Sequence, residues 1–343
     1  MTDAEKKMKI KIVFILLVSI ALVNIAAAQS KVGTTAANFL KIPQGARATA
    51  MGGAFTAVAN DASAAFWNPG GLSRITGNEF LASDAKWIVG TNTYWFGLAI
   101  KAGDNGCAAL SVNELDYGNE EITTATQPDG TGQTWSARDV AIGLSYAQNL
   151  TDRFSIGGTA KYIHQSIWNE SASAFALDVG LLFTTQLDNM RIGMNIANFG
   201  TELKMDGKDA YLAADVDPTH TGNNETIVSE LQTDSWTLPL TFTIGLGYDP
   251  LDNDKFKWSV AVDAVYPNSQ TSYLNMGTEL TWNKMISLRA GYFSLFKEAA
   301  EEGLTAGVGV QYDLGEFLIK ADYSYSEFGI LGEISRYTIS VGF

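Results

Sequence analysis

Hydrolytic chemistry needs a nucleophile within reach of a base, so the two histidines are the first residues to weigh. His164 and His220 are the only imidazoles in 343 residues. Neither accompanies a Gly-x-Ser-x-Gly turn or another nucleophile spacing. His164 falls on the outward parity of a strand pattern and His220 in a long loop, so a Ser–His hydrolase is disfavoured and no enzyme activity is expected. Cys107 is the one cysteine, which excludes an internal disulfide and a thiolate metal site. The stretch 200–235 holds Glu202, Asp206, Asp209, Asp215, Asp217, Glu225, Glu230 and Asp234 against Lys204 and Lys208. Asp215-x-Asp217 with Asn223 and Glu225 has Ca²⁺-binding donor types without EF-hand spacing, and reads first as a solvated acidic loop. No catalytic residue, metal or cofactor is expected.

The remaining chemistry is charge set into apolar surroundings. Lys161, Arg289, Lys320 and Arg336 recur on the polar parity of their segments, as do Asp178, Asp263, Glu279 and Asp322. Four against four suggests an interior braced by ion pairs, since a buried charge needs a partner. A selectivity path along a pore is the sharper alternative.

Elements that bring these residues to one interior must be strands. From about Asn78 onward the pattern alternates with period two. Tyr337, Ile339, Val341 and Phe343 oppose Arg336, Thr338, Ser340 and Gly342, and Phe256, Trp258, Val260, Val262, Ala264 and Tyr266 oppose Lys257, Ser259, Ala261, Asp263 and Val265. Fourteen segments follow the rule: 78–87, 92–101, 106–115, 136–149, 153–167, 172–185, 190–199, 236–249, 255–266, 272–282, 285–296, 303–313, 316–326 and 333–343. Tight connections such as Asn283-Lys284 and Leu314-Gly315 fall at one end, and the long loops 116–135 and 200–235 at the other. Aromatic residues on the apolar parity sort to the two ends of the strands, as the interfacial girdles of a membrane barrel do. The expected fold is all-β: a transmembrane, 14-stranded antiparallel barrel over residues 78–343, in contact with outer-membrane lipid. A mean hydropathy of +0.02 suits strands that place only alternate residues in lipid. A net charge of −14 argues against a nucleic-acid partner.

Two segments precede the barrel. Lys6, Lys7, Lys9 and Lys11, the apolar run from Ile12 to Val23 and Ala26-Ala27-Ala28 have the layout of a secretory signal peptide over residues 1–28, with cleavage expected before Gln29. Residues 29–77 do not alternate and are rich in Ala and Gly. Their candidate functional residues are Arg47, Met51-Gly52-Gly53, Asp61 and the turn Asn68-Pro69-Gly70. Arg47 is the one cation between Lys41 and Arg74 and is expected to pair with Asp61, the nearest downstream acid. Some fifty such residues ahead of a wide barrel read as a plug, or hatch.

Phe39-Leu40-Lys41-Ile42, Gly45-Ala46-Arg47, Met51-Gly52-Gly53-Ala54-Phe55, Asn60-Asp61-Ala62-Ser63-Ala64 and Trp67-Asn68-Pro69-Gly70-Gly71-Leu72 occur in this order. The combination resembles the PorV/PorQ family, which is related to the FadL-type transporters of long-chain fatty acids and other hydrophobic molecules. The resemblance implies a monomeric, FadL-like outer-membrane barrel with an N-terminal hatch. It also implies a non-enzymatic part in type IX secretion, binding or shuttling cargo and docking other secretion proteins. The alternative is a channel for hydrophobic small molecules. Relatives often carry Ala at position 70, so Gly70 is expected to keep the turn and loosen it.

Overall fold

The computed structural model describes residues 33–187, 190–215, 219, 226–297 and 300–343. The expected signal peptide, His220, Asp217, Asn223 and Glu225 lie outside the described residues. Fourteen long strands carry the fold: β1 (Glu79–Lys86), β2 (Asn92–Ala102), β3 (Gly106–Glu121), β4 (Thr134–Thr151), β5 (Phe154–Ile167), β6 (Glu170–Thr184), β7 (Arg191–Gly200), β8 (Thr241–Asp252), β9 (Phe256–Pro267), β10 (Tyr273–Trp282), β11 (Ile286–Leu295), β12 (Leu304–Asp313), β13 (Leu318–Glu327) and β14 (Glu333–Gly342). Each pairs antiparallel with its neighbours in sequence, and β1 pairs with β14 from Glu79↔Gly342 to Ala85↔Arg336. The sheet therefore closes on itself and leaves no free edge.

Burial along the strands is inverted relative to a water-soluble protein. In β14 Tyr337 and Ile339 are 57% and 59% exposed, whereas Thr338 and Ser340 are 4% and 2% exposed. Leu144, Phe175, Leu288 and Val308 are likewise exposed, while Ser145, Thr159, Asp263 and Arg289 are buried. An apolar outer belt around a polar interior is the distribution a lipid-facing barrel requires. Ile339→Arg is accordingly expected to cost ~2–4 kcal/mol as a charge placed in mid-bilayer. Urea unfolding in lipid vesicles should show that loss, and a much smaller one for Ser340→Ala.

Two segments depart from the expected boundaries. The eighth strand begins at Thr241 and not near 236, because Pro239 has no N–H to give to a ladder. Trp236 instead pairs with Leu203 in a two-residue ribbon, and Leu238 turns inward to pack with Phe39 and Leu40. The third and fourth strands run on past 115 and before 136, so the loop between them shrinks to 122–133. Asn119↔Ser136 and Glu121↔Thr134 continue the pairing beyond an irregularity at Asp116. The barrel wall is thus tall on the β3–β6 side.

Candidate functional site

The described residues before β1, 33–78, lie largely inside the barrel. They form a 3-10 turn (Asn38–Lys41), a short helix α1 (Ala46–Ala50), a second, α2 (Ala64–Trp67), and a 3-10 turn (Pro69–Arg74). Ala46, Ala48, Ala50, Met51, Ala54, Phe55, Ala62 and Leu72 are fully or almost fully buried. Small side chains let this backbone press directly on the wall, and the wall answers with glycine. A Cβ placed on Gly157, Gly180, Gly193, Gly277 or Gly291 would come closer than 3.0 Å to Pro69, Asn68, Thr56, Met51 or Gly52 respectively. These glycines lie on β5, β6, β7, β10 and β11, all at inward-facing positions. They form a broken ring of seats in which no side chain fits. Gly52 and Gly53 complete the fit from the other side, with φ of +61° and +70° that L side chains rarely adopt.

Side chains then fix the segment in register. Arg47 donates from Nε and Nη2 to the two oxygens of Glu279 on β10, at 3.0 and 2.8 Å. Its Nη1 reaches Asp61 Oδ2 at 3.0 Å and Asn60 Oδ1 at 2.6 Å, and the guanidinium lies 5.1 Å from the Phe55 ring centre. Arg47 and Asp61 thus meet, but the wall carboxylate makes the bidentate contact. Glu279 also accepts from Arg289 Nε at 2.7 Å, and Arg289 Nη1 reaches Asp322 at 2.6 Å. The result is a continuous chain, Asp61–Arg47–Glu279–Arg289–Asp322, in which every charge has an opposite neighbour. Lys320 pairs with Glu79 at 2.7 Å, and the second Glu79 oxygen accepts the Ala62 N–H. Lys161 pairs with Asp178 at 2.5 Å.

Two of the eight interior charges depart from the expected cross-bracing. Asp263 has no cation partner among the described residues; its Oδ2 accepts the N–H groups of Phe55 and Thr56 at 3.0 and 2.9 Å. Arg336 has no carboxylate within ion-pair distance among the described residues and donates instead to Gln44 Oε1 at 3.0 Å. Backbone amides and a side-chain amide thus take the places that ions were expected to fill.

The Asn68 turn does more than lead the chain into β1. Asn68 Nδ2 donates to Thr56 O at 2.7 Å and to Leu181 O on β6 at 3.0 Å, while Oδ1 accepts the Gly70 N–H. Pro69 opens the following 3-10 turn. Gly70 packs against the wall, its Cα so near the Gly180 carbonyl that an added Cβ would meet the oxygen at 2.9 Å. Met51 is fully buried in the cluster around Phe55 and Leu72.

A cavity lies on each side of the segment. The one toward the long loops, about 630 Å³, is walled by Phe39, Phe66, Trp67, Trp87, Tyr273 and Phe293. The one toward the short turns, about 530 Å³, holds Arg47, Asp61, Glu279, Arg289, Lys320 and Asp322. A cup with an aromatic wall that also holds Lys161, Asp263 and Glu302, and a charged vestibule, therefore face opposite ends of the barrel.

His164 stands on the outward side of β5 with Nδ1 2.9 Å from Ser173 Oγ, remote from both cavities. No group of metal-ligating side chains gathers among the described residues. The glycine seats and Gln44 are contacts between hatch and wall that sequence reasoning passed over. The signal for the seats is glycine at the inward parity of several strands. Gln44 left no signal at all.

Known structures share this architecture. A Pseudomonas aeruginosa FadL homologue superposes with a TM-score of 0.50 at 13% identity, covering 92% of this chain and 99% of that one. The monoaromatic hydrocarbon channel CymD gives 0.54 at 12%, covering 87% and 97%. The Pseudomonas putida toluene transporter TodX gives 0.51 at 14%, covering 87% and 96%. At such identities the likeness establishes the fold, a FadL-like outer-membrane barrel. No curated protein matches the chain in sequence. A family model described as type IX secretion system protein PorV matches residues 25–219, more than half of the chain, and the chain belongs to the PorV family.

Proposed function

We propose that the protein is a non-enzymatic docking component of type IX secretion in the outer membrane. In this reading the hatch stays seated, and the cup on the long-loop side, with its surrounding loops, receives secreted cargo or other secretion proteins. The observation that carries the reading is the fit of residues 45–72 to the wall. Glycine seats leave the segment no slack, and the Arg47–Glu279 fork ties it across the lumen. A partition held this closely suits a receptor surface better than a conduit. The aromatic part of the cup's lining favours a second reading, a carrier of hydrophobic small molecules.

One pair of substitutions separates the two. Asn68→Ala with Pro69→Ala removes the ties to Thr56 O and Leu181 O and is expected to loosen the hatch while the barrel still folds. A docking component then loses co-purification with outer-membrane secretion proteins identified by mass spectrometry, and hydrophobic-probe uptake into proteoliposomes stays flat. A carrier shows raised uptake instead. No change in either would mean that the hatch only fills space.

A further inference from the structure

We propose that the polar nest around Arg336, between β13, β14 and the hatch, binds a small inorganic anion of the chloride class. Arg336 is 1% exposed, and a guanidinium held from water with no counter-charge in contact is among the costliest groups a fold can carry. Every nearby interior acid is already engaged: Glu79 by Lys320 and Ala62 N–H, Asp322 by Arg289. Asp84 is close in register, since Ala85 pairs with Arg336, but it points to the outer face of the sheet.

Arg336 also fixes the sense of the surrounding hydrogen bonds. It can only donate, so the Gln44 atom it meets must be oxygen. Gln44 Nε2 therefore donates, to Thr93 Oγ1 at 3.1 Å and to Asn113 Oδ1 at 3.0 Å. That leaves Asn113 Nδ2 as a buried donor with no partner. Arg336 Nε is also unpartnered, as are the hydroxyls of Ser324 and Ser326. Ser324 stands directly opposite Arg336 in the β13–β14 register. Each of these atoms can donate, and the nest presents no free carboxylate or carbonyl side-chain oxygen among the described residues. The nest thus sets an unpaired positive charge beside groups that are able to donate.

A cation or an amine could use the serine oxygens but would set a second positive charge beside the buried Arg336. Water would satisfy some donors and leave the charge uncompensated. A monatomic anion beside Arg336 accepts from its Nε–H and from the Ser324 hydroxyl opposite it, and cancels the charge. The nest is sealed, with Ser324 and Ser326 at 0% and 1% exposure, so the ion enters as the hatch seats. Because Gln44 and Ala46 N–H, the latter on Thr338 Oγ1 at 2.8 Å, join the hatch to this wall, the anion stabilises the seated state.

The test uses the full chain refolded in detergent at equal ionic strength in sodium chloride or sodium gluconate. Chloride is expected to raise the temperature of the heat-induced gel shift by about 3 °C or more. Ser324→Ala with Ser326→Ala should shrink that increment, and Arg336→Gln should abolish it. Crystals of the unaltered chain grown in bromide should show an anomalous peak within hydrogen-bonding distance of Arg336 Nε and Ser324 Oγ, whatever the fate of the variants. No such peak means that the nest holds water only, and it overturns the proposal. An increment of full size in the serine double variant would mark a general salt effect and overturn it equally.

Discussion

Gly291→Val is expected to drive the hatch out of its seat without unmaking the barrel. An added Cβ at 291 would fall on the backbone of Met51 and Gly52, which cannot rotate away as a side chain could. Overpacking of this kind costs roughly 1–3 kcal/mol or more, and ~3 kcal/mol is about a hundredfold in the unseated population. Limited proteolysis should then cut within 33–77 in the folded, heat-modifiable form, where the unaltered chain resists. Ala290→Val is the control. It adds bulk on the lipid face one residue away, where Ala290 faces outward opposite Ala306, and should leave cleavage unchanged. Equal protection of both variants would mean that the seats are not needed.

Glu279→Ala should be the most damaging single change to the interior charges. It strips two guanidinium groups, Arg47 and Arg289, of a shared carboxylate while leaving both in place. Breaking a buried ion cluster by removing one member typically costs ~3–5 kcal/mol. Arg47 keeps Asp61 and Arg289 keeps Asp322, which places the expectation at about the lower figure. Glu279→Gln retains an acceptor and should recover part of the loss. Urea midpoints in detergent measure both. A loss no larger than that of Ser340→Ala would show the cluster to be ornamental to stability.

The barrel was readable from the chain because lipid and lumen impose a strict period of two, and aromatic residues sort by height along it. Tyr337, Ile339 and Val341 declare their face without any partner being known. What the wall does to the hatch was not readable in the same way. A glycine such as Gly193 or Gly277 carries no pattern of its own; its role exists only when Thr56 or Met51 arrives from far away in sequence. Asp263 looked like half of an ion pair because carboxylates usually find cations, yet its partners are two backbone N–H groups, which every non-proline residue possesses. Gln44 is neutral and solitary in the sequence, and becomes a hub only through Arg336, Thr93 and Asn113. Local periodicity thus reports the solvent on each side of the sheet, whereas the hatch contacts depend on tertiary meetings that leave no local trace.

Whether the hatch works as a fixed partition can be asked by locking it. Ala46 N–H meets the Thr338 side chain at 2.8 Å, so Ala46→Cys with Thr338→Cys, in a Cys107→Ser background, places two thiols at the junction of α1 and β14. After oxidation, the locked protein is expected to co-purify with outer-membrane secretion proteins as well as the unaltered chain does. It is also expected to pass no hydrophobic probe into proteoliposomes, before or after reduction. Loss of co-purification on locking, or probe uptake that appears when the disulfide is reduced, would contradict a seated hatch and indicate one that must move.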